Sequence, residues 1–397
     1  MTISQNITNM IKSSSWIRRM FEEGTSLKAK YGAEKVYDFS LGNPNIEPPE
    51  KFQKALKKTI TDSTAGFHAY MPNTGYPDVR ASVADYLRGE QKINICGDDI
   101  IMTCGAAGAI NVILKAILDP ADEVITPAPF FVEYNFYVTN HGGILKTVPS
   151  KKDFTLDIDA MGDAITSKTK AVILNSPNNP TGQVYSEKSL INLGELLKSA
   201  GEKYNRTIYI ISDEPYRKII YDDLKLPSIF NCYSESFIAT SYSKDLSIPG
   251  ERIGYIAVSP EASFKDNLLQ GMALANRILG FVNAPALMQR VIGSIQGASV
   301  DISAYARKRD ILCSGLESYG YEFIKPAGAF YLFPKTPIDD VEFVRLLQKE
   351  LILTVPGSGF GRPGHLRIAF CVGDDTIINS MAGFKKVMVE VNNRHTK

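Results

Sequence analysis

Lys244 lies in the stretch SYSKDLSIPGERIGY, residues 241–255, and Arg252 follows it eight residues later. The apolar runs on either side, FIAT and IGYIAV, are typical of buried strands. A lysine between such strands is poorly hydrated and feels the positive charge of Arg252, and both effects lower the pKa of its ammonium group. The neutral amine can then form a Schiff base with an aldehyde. The alternative is an ordinary solvated lysine in a turn.

Asp213 ends the apolar run TIYIIS, and Tyr216 follows it three residues later. A carboxylate at such a position often caps a helix, but it can also pair with a ring nitrogen and keep that nitrogen protonated. Pyridoxal phosphate requires such a partner, because its protonated ring accepts electrons during catalysis. The hydroxyl group of Tyr216 could reach the same ring. Together with Lys244, these two residues could form a pyridoxal phosphate site, with a helix cap or loop carboxylate as the alternative for Asp213.

The motif CGAAG, residues 104–108, stands between a predicted strand and a predicted helix. Backbone N–H groups at the start of a helix bind phosphate, and small side chains let the backbone come close to it. The hydroxyl groups of Ser241 and Ser243 and the guanidinium group of Arg252 could complete this anion cradle. Many strand-to-helix turns begin with small residues, so the motif alone is weak evidence.

Two further motifs carry groups suited to a flat ring. Asn179, in NSPNNPTG at 175–182, offers an amide donor to a phenolate-type oxygen, although the motif also reads as a plain turn. Phe131, in PAPFFVEY, is either an ordinary core residue or a ring that stacks on the cofactor.

Continuous apolar runs predict the strands that would position these groups. The predicted strands are residues 99–103, 122–127, 170–177, 207–215 and 236–243, with a predicted helix at 109–118. Continuous hydrophobicity is typical of strands covered on both faces, and therefore of a mostly parallel sheet with helical crossovers, which is α/β architecture. Ligands of such sheets bind at the carboxyl ends of the strands. The polar residues that should converge there are Thr103, Asn175, Asn179, Asp213, Ser241 and Lys244.

The sequence pattern changes near residue 285. Beyond it, strand-like stretches at 321–334 and 365–370 alternate with helical stretches, including one at 341–350. We therefore predict a smaller α+β domain made of residues 1–47 and 286–397, beside a large cofactor-binding domain of residues 48–285. The charged run ARKRD, at 306–310, is predicted to be a solvated helix face.

Composition narrows the function. The chain has 397 residues and a formal net charge of +1, which gives no general attraction to nucleic acid or to an anionic membrane. Its five cysteines and four histidines are scattered, so neither a disulfide framework nor a metal site is expected. The N-terminus has no signal-peptide pattern and no long apolar run occurs, which predicts a cytoplasmic protein without membrane spans.

These motifs, in this order, resemble the class I/II aminotransferases of the aspartate aminotransferase superfamily, pyridoxal phosphate fold type I. The resemblance covers nearly the whole chain. It rests on GNP (42–44), the pattern from Tyr70 to Arg80, TCGA (103–106), PAPFFVEY (127–134), NSPNNPTG (175–182), SDEPY (212–216), residues 241–255, GAFY (328–331), PGSGFG (356–361) and LRIAF (366–370). The resemblance implies a large domain with a mostly parallel seven-stranded sheet flanked by helices, and pyridoxal 5′-phosphate as cofactor.

The resemblance also implies roles for the cofactor-binding residues. Lys244 resembles the lysine that forms the Schiff base and carries the proton, and Asp213 resembles the partner of the ring nitrogen. Asn179 and Tyr216 resemble the donors to the phenolic oxygen, and Phe131 the stacking ring. The residues that match the phosphate cradle are Gly105, Ala106, Ala107, Ser241, Ser243 and Arg252.

Three more residues match positions that bind the substrate or the neighbouring subunit. Arg367 resembles the arginine that binds the substrate α-carboxylate, and Gly42 the glycine of a segment beside the substrate. Tyr70 resembles a tyrosine that reaches the phosphate of the neighbouring subunit, which implies a homodimer. The implied reaction exchanges an amino group between an L-amino acid and a 2-oxo acid in ping-pong fashion, with aspartate-like or broad specificity.

The chain departs from the family at two positions. Glu251 follows Gly250 where the family often has tryptophan, and Arg277 does not match cleanly the spacing of a second substrate-binding arginine. A racemase or C–S lyase on the same fold would use the same lysine and ring. A non-enzymatic ligand sensor would carry an N-terminal DNA-binding module, and the roughly forty residues before GNP are too short and too weakly basic for one.

Overall fold

The computed structural model describes residues 3–12 and 16–395. Its β-strands are β1 (Tyr37–Asp38), β2 (Ile100–Thr103), β3 (Glu123–Ala128), β4 (Ile144–Pro149), β5 (Thr169–Asn175), β6 (Tyr209–Asp213), β7 (Ser236–Ser241), β8 (Gly254–Val258), β9 (Tyr331–Leu332), β10 (Ile352–Leu353), β11 (Val355–Pro356) and β12 (Leu366–Ala369).

The α-helices of the described residues surround these strands. They are α1 (Gln5–Lys12), α2 (Trp16–Tyr31), α3 (Glu50–Ile60), α4 (Pro77–Gln91), α5 (Gly105–Ile117), α6 (Tyr134–Asn140), α7 (Ile158–Ala164), α8 (Glu187–Tyr204), α9 (Ile229–Cys232), α10 (Lys265–Ile278), α11 (Ala286–Gly293), α12 (Ile302–Ser318), α13 (Asp340–Lys349) and α14 (Asp374–His395).

A seven-stranded sheet in the order β2-β8-β7-β6-β5-β3-β4 forms the centre of the molecule. β8 runs antiparallel to β2 and β7, and the other pairs are parallel. The predicted mostly parallel sheet is therefore confirmed. The five predicted strands correspond to β2, β3, β5, β6 and β7.

Helices cover both faces of this sheet, which explains the continuous hydrophobicity of its strands. In β5, Val172 and Leu174 pack on one face with Leu193 and Leu197 of α8. Ala171 and Ile173 point to the other face, where α5, α6 and α10 supply the packing residues. Because successive side chains of a strand alternate between faces, the central residues 171–174 of β5 are all apolar where both faces are buried.

A third group of buried residues, here called the C-terminal cluster, lies beside the sheet. It is built on the three-stranded sheet β11-β12-β9 and on helices α12, α13 and α14, and it includes Phe39, Tyr305, Phe343, Leu366 and Phe384. The prediction of one strand over 321–334 was wrong, because only Tyr331–Leu332 of this stretch pairs as a strand, apart from an isolated bridge at Gly328. Burial from several sides, rather than strand pairing, accounts for its apolar sequence.

The domain boundaries at 47/48 and 285/286 remain a prediction. Met288, Val291 and Ile292 of α11 belong to the cluster on one face of the large sheet, whereas Val300 belongs to the C-terminal cluster. We therefore propose that the second boundary lies near residue 300.

The charged run at 306–310 lies on α12, as predicted, but it is not fully solvated. Arg309 is 1% exposed and Lys308 is 5% exposed. The prediction of a solvated helix face was wrong for these two residues, because Asp222 pairs with Arg309 and Asn45 accepts a hydrogen bond from Lys308.

Neither a membrane-spanning helix nor a metal cluster occurs among the described residues. No described helix combines the length and apolarity needed to cross a membrane. Within the same residues, no group of three or more His, Cys, Asp and Glu side chains is arranged to hold a metal ion.

Candidate active site

A cavity of about 280 Å³ opens at the carboxyl ends of β5, β6 and β7. It is lined by most of the residues predicted from the sequence: Gly42, Ala106, Ala107, Phe131, Asn179, Asp213, Tyr216, Ser241, Ser243, Lys244, Arg252 and Arg367. Of the six polar residues predicted to converge at the strand ends, all except Thr103 line this cavity. Gly105 lies directly behind this lining, and Tyr70 lies elsewhere.

Lys244 and Arg252 share the connection between β7 and β8. These strands form an antiparallel pair in which Ser241 is opposite Gly254, so the intervening loop stands at the cavity. Lys244 Nζ donates a hydrogen bond to the Gly42 carbonyl oxygen at 2.8 Å. Burial lowers the pKa of Lys244 to about 8, and the nearby guanidinium groups of Arg252 and Arg367 act in the same direction. A substantial neutral fraction is therefore available near neutral pH.

Asp213 is the last residue of β6 and is buried. Its Oδ2 atom accepts a hydrogen bond from the Tyr134 hydroxyl at 2.5 Å, while its Oδ1 atom has no partner among the described residues. Burial raises the pKa of Asp213 to about 7, and the hydrogen bond from Tyr134 opposes this rise. A cationic N–H group in the cavity would satisfy Oδ1 and favour the ionised carboxylate.

Two buried ion pairs hold the segments that carry these residues. Glu214, which follows Asp213, pairs with Arg217 at 3.1 Å. Asp245, which follows Lys244, pairs with Lys218 at 2.9 Å. Because Arg217 and Lys218 are adjacent, one short segment anchors both strand ends from behind the cavity.

The anion cradle is formed at the start of α5. Gly105 has a φ of +77°, which favours glycine, and a Cβ atom there would lie 3.0 Å from Arg252 Nη2. Thr103, which was predicted to converge on the site, instead donates its hydroxyl to the Gly105 carbonyl oxygen at 3.1 Å. Ala106 and Ala107 line the cavity with small side chains, so the backbone at the helix start is accessible to an anion.

Arg367 projects from β12 into the opposite side of the cavity. Its Nη1 atom donates to Asn179 Oδ1 at 3.1 Å, and Nη2 donates to the Ser40 carbonyl oxygen. Its Nε atom is buried without a partner among the described residues. Burial lowers the pKa of Arg367, with Tyr331 and Tyr216 nearby opposing this. An arginine without a carboxylate partner is suited to bind one from a ligand.

Three predicted or questioned residues lie away from the cavity lining. Tyr70 is 90% exposed, so its side chain does not reach the site of its own chain. Glu251 is exposed and does not line the cavity, although it lies next to Arg252. Arg277 is exposed at the end of α10 and is also outside the cavity lining.

The sequence reasoning gave no role to Tyr134 or to Tyr331. Tyr331 lines the cavity, and its hydroxyl lies 2.8 Å from the Tyr216 hydroxyl. Both residues stand inside quoted motifs, PAPFFVEY and GAFY, but an aromatic residue in an apolar stretch looks like core. The one available signal was that a buried tyrosine hydroxyl needs a hydrogen-bond partner.

The residues present fit pyridoxal phosphate. Oδ1 of Asp213 is an unsatisfied buried acceptor for a protonated ring nitrogen. A Cβ atom at position 105 would crowd the guanidinium group of Arg252, so glycine keeps the start of the helix open to an anion beside that arginine. Lys244 supplies an amine with a lowered pKa beside them. The fold and this cavity together define an enzyme of the pyridoxal phosphate class.

Comparison with known proteins identifies the family. The sequence model of the family described as aminotransferase class I and II matches residues 34–382. An aspartate/prephenate aminotransferase of Thermus thermophilus is 30% identical over 88% of this chain and 90% of its own length. An aspartate aminotransferase of Bacillus subtilis is 31% identical over 90% of this chain and 92% of its own length.

Solved structures agree with this result. An aminotransferase from Eubacterium rectale is 40% identical, covers 98% of this chain and 99% of its own, and superposes with a TM-score of 0.95. Thermus thermophilus aspartate aminotransferase with maleate is 26% identical, covers 98% of this chain and 100% of its own, and gives a TM-score of 0.86. The chain belongs to the aminotransferase class I and II family, and it is a pyridoxal phosphate-dependent transaminase that exchanges the amino group of an amino acid with a 2-oxo acid.

Proposed function

We propose that Lys244 is the base and acid of the transamination and that Asp213 holds the cofactor ring protonated. The observation that carries this proposal is that the unpartnered Oδ1 atom of Asp213 and the amine of Lys244 face one cavity. Bound pyridoxal phosphate supplies an aldehyde that links to amines and a ring that accepts the electron pair released from the substrate Cα. Lys244 takes the proton from Cα onto Nζ and returns it to a neighbouring carbon, which a pKa near 8 allows in both directions.

The other residues bind and orient. Asn179 and Tyr216 are proposed to donate to the phenolic oxygen, and Phe131 to stack on the ring. The proposed phosphate ligands are the backbone of Gly105, Ala106 and Ala107 and the side chains of Ser241, Ser243 and Arg252. Arg367 is proposed to bind the substrate α-carboxylate through Nε and Nη1, after Nη1 exchanges its contact with Asn179 Oδ1. Gly42 lets the neighbouring backbone approach the substrate.

The lysine assignment can be tested by chemical trapping. Borohydride reduction of the holoenzyme should attach the cofactor irreversibly to the peptide that contains Lys244, as found by mass spectrometry. Lys170 is a matched control, because burial also lowers the pKa of this lysine but it lies outside the cavity lining. Lys170→Arg should trap as the wild type does, and Lys244→Arg should not. Labelling at any other lysine would refute the assignment.

Substrate choice is proposed to be aspartate-like or broad, because relatives of this chain are named aspartate and aspartate/prephenate aminotransferases. A panel of L-amino donors against 2-oxoglutarate and pyruvate tests this. Formation of glutamate or alanine at the fastest rate with L-aspartate supports the aspartate-like assignment. Production of D-amino acid, or release of a β-substituent, without amino transfer would instead favour a racemase or a C–S lyase.

We further propose a homodimer in which Tyr70 serves the site of the neighbouring subunit. The exposure of 90% supports this, since it leaves the Tyr70 side chain available to a neighbouring subunit. Mixed dimers of Tyr70→Phe and Lys244→Ala chains then contain one site with both native residues, and tight cofactor binding should return. If Tyr70 acts in its own subunit, no site is repaired. Mixing Arg367→Ala with Lys244→Ala is the negative control for transaminase activity, which should stay absent because each site keeps one defect from its own chain.

A cytoplasmic location remains part of the proposal. All five cysteines are free thiols, the state that a reducing compartment maintains. Fractionation of the native host, with the protein detected by antibody, would test it.

A further inference from the structure

Tyr331 contacts two residues that the proposed mechanism uses, Tyr216 and Arg367, although that mechanism gives Tyr331 no role. Its hydroxyl lies 2.8 Å from the hydroxyl of Tyr216, and the two rings meet edge to face with centroids 5.6 Å apart. The guanidinium carbon of Arg367 lies 4.8 Å from the centroid of the Tyr331 ring. The residue is 2% exposed and lines the cavity.

Each of the two hydroxyl groups has one proton, and this decides which of them donates in the hydrogen bond between them. Burial raises the pKa of Tyr216 well above its ordinary value and that of Tyr331 to about 12, so each hydroxyl keeps its single proton near neutral pH. In the proposed function, Tyr216 donates its proton to the phenolic oxygen of the cofactor. The contact between the hydroxyl groups can then persist only if Tyr331 is the donor and Tyr216 the acceptor.

The Tyr331 hydroxyl is also held from its other side. A Cβ atom at position 42 would overlap this hydroxyl, so the Gly42 backbone packs directly against it. Tyr216 is the hydrogen-bond partner that the described residues offer Tyr331. The hydroxyl oxygen of Tyr331 is therefore held between Tyr216 and the segment of Gly42, whose carbonyl oxygen also accepts the hydrogen bond from Lys244.

We propose that Tyr331 is a positioning residue for Tyr216, because its hydroxyl donates to Tyr216 Oη and so directs the Tyr216 proton toward the cofactor. Linked hydrogen bonds polarise one another, so an oxygen that accepts a hydrogen bond makes its own O–H a stronger donor. The inference rests on the proposed function, in which Tyr216 donates to the phenolic oxygen. The ring of Tyr331 has a second, separate effect, since its face supports the guanidinium group of Arg367.

The test is a pH titration of the cofactor absorbance in the purified holoenzyme. A weaker donation by Tyr216 leaves more negative charge on the phenolic oxygen, and this charge stabilises the protonated link between the cofactor and Lys244. Tyr331→Phe should therefore raise the midpoint of the absorbance change by about 0.3–1 pH unit, in line with the loss of one partly cooperative hydrogen bond. The KM for the amino donor should stay within about twofold, because phenylalanine keeps the ring beside Arg367.

Two further variants show whether a shifted midpoint comes from the lost hydrogen bond to Tyr216 or from general damage to the structure. Tyr321→Phe is the matched control, because Tyr321 is a buried tyrosine of the same C-terminal cluster and donates to the Phe384 carbonyl oxygen at 3.0 Å. It should leave the midpoint unchanged. Tyr216→Phe should raise the midpoint further than Tyr331→Phe does, and adding Tyr331→Phe to Tyr216→Phe should produce no additional shift.

The outcomes distinguish this inference from the proposed function. An unchanged midpoint in Tyr331→Phe beside a shifted midpoint in Tyr216→Phe overturns the inference and leaves the proposed function intact. An unchanged midpoint in Tyr216→Phe contradicts the proposed role of Tyr216 itself. If Tyr331→Phe binds the cofactor weakly, the titration is repeated with excess pyridoxal phosphate and followed by the circular dichroism of the bound cofactor, and the midpoint must still rise.

Discussion

Two arginines of this enzyme are almost completely buried, and their surroundings differ in one respect. Arg309 is 1% exposed and Arg367 is 2% exposed, and each packs on a tyrosine ring, Tyr221 and Tyr331 respectively. Arg309 has a bidentate contact with Asp222, at 2.7 and 2.9 Å, and its Nε atom donates to Asp310. Arg367 has no carboxylate among its hydrogen-bond partners, and its Nε atom has no partner within the described part of the chain.

The difference reverses the effect of burial on the charge. Burial opposes the charge of both arginines, but the hydrogen bonds from Arg309 to Asp222 and Asp310 outweigh it and raise the pKa of Arg309. The pKa of Arg367 is lowered by burial, because its neighbours are neutral. A buried arginine whose donors are all satisfied stabilises the fold, whereas one with an unsatisfied donor is prepared for an anionic ligand.

The largest expected effect is the loss of activity in Arg367→Met. Removal of the guanidinium group removes the contact proposed for the substrate carboxylate, and loss of such a buried charged contact costs about 2–5 kcal/mol, or a fall in kcat/KM of about 30- to 4,000-fold. The melting temperature should stay the same or rise, since a buried charge without a counterion is removed. Steady-state kinetics and thermal unfolding measure both. A variant that melts much earlier but retains its kcat/KM would reverse the assignment.

The matched substitution Arg309→Met should have the opposite profile. It breaks the contacts with Asp222 and Asp310 and leaves an imperfectly filled site, which should lower the free energy of unfolding by about 2–4 kcal/mol. The kcat/KM per folded molecule should remain within about threefold of the wild-type value, because Arg309 lies outside the cavity lining. Denaturant unfolding gives the stability change. A large loss of kcat/KM in a folded Arg309→Met variant would show that pairing with a carboxylate does not distinguish a structural buried arginine from a ligand-binding one.

A smaller effect is expected in the pH dependence of cofactor addition to the apoprotein. With a pKa of about 8, Lys244 is about one tenth neutral at pH 7 and about nine tenths neutral at pH 9. Because the neutral amine is the nucleophile, the rate of Schiff-base formation should rise about tenfold over this interval and then level off. Stopped-flow absorbance measures this rate. A rate that still rises tenfold per pH unit above pH 9 would indicate an ordinary lysine.

The smallest expected effect is the difference between the two arginines in their influence on the pKa of Lys244. The positive charge of Arg367 contributes to the lowered pKa of Lys244, after burial and alongside Arg252. Arg367→Met should therefore move the midpoint of the same rate profile upward by a fraction of a pH unit, on the scale of a single screened charge. Arg309→Met should leave the midpoint where it is. Equal midpoints in all three proteins would mean that Arg367 does not contribute to the lowered pKa of Lys244.

The parts of the fold that the sequence predicted are those where burial decides the residue types. β5 and β7 each contain a continuous apolar run, residues 171–174 and 237–239, because helices cover both faces. β4 was not predicted, since it is an edge strand with Ile144 48% exposed, and it is held by backbone pairing with β3. The burial of Arg309 also could not be read locally, because its partner Asp222 is distant in sequence and joins it only in the folded chain.

The residues of the candidate site also fall into those that the strand pattern predicts and those that it does not. Lys244 and Asp213 are polar residues at the ends of apolar strands, so their placement follows from the strand pattern. Tyr134 and Tyr331 lie within apolar stretches and act through hydroxyl groups whose partners, Asp213 and Tyr216, come from other elements. The local sequence pattern shows that an aromatic ring is buried, but it does not show which oxygen atom forms a hydrogen bond with the hydroxyl group of that ring.

Lys244 and Arg252 belong to a single hairpin connection whose two ends are paired strands of the central sheet. The proposed anchors for both ends of the cofactor are therefore joined by only a few peptide bonds, while Arg367 is carried by the C-terminal cluster. When mild heating loosens the C-terminal cluster, the bound amino acid should dissociate first. The coloured cofactor should dissociate at a higher temperature.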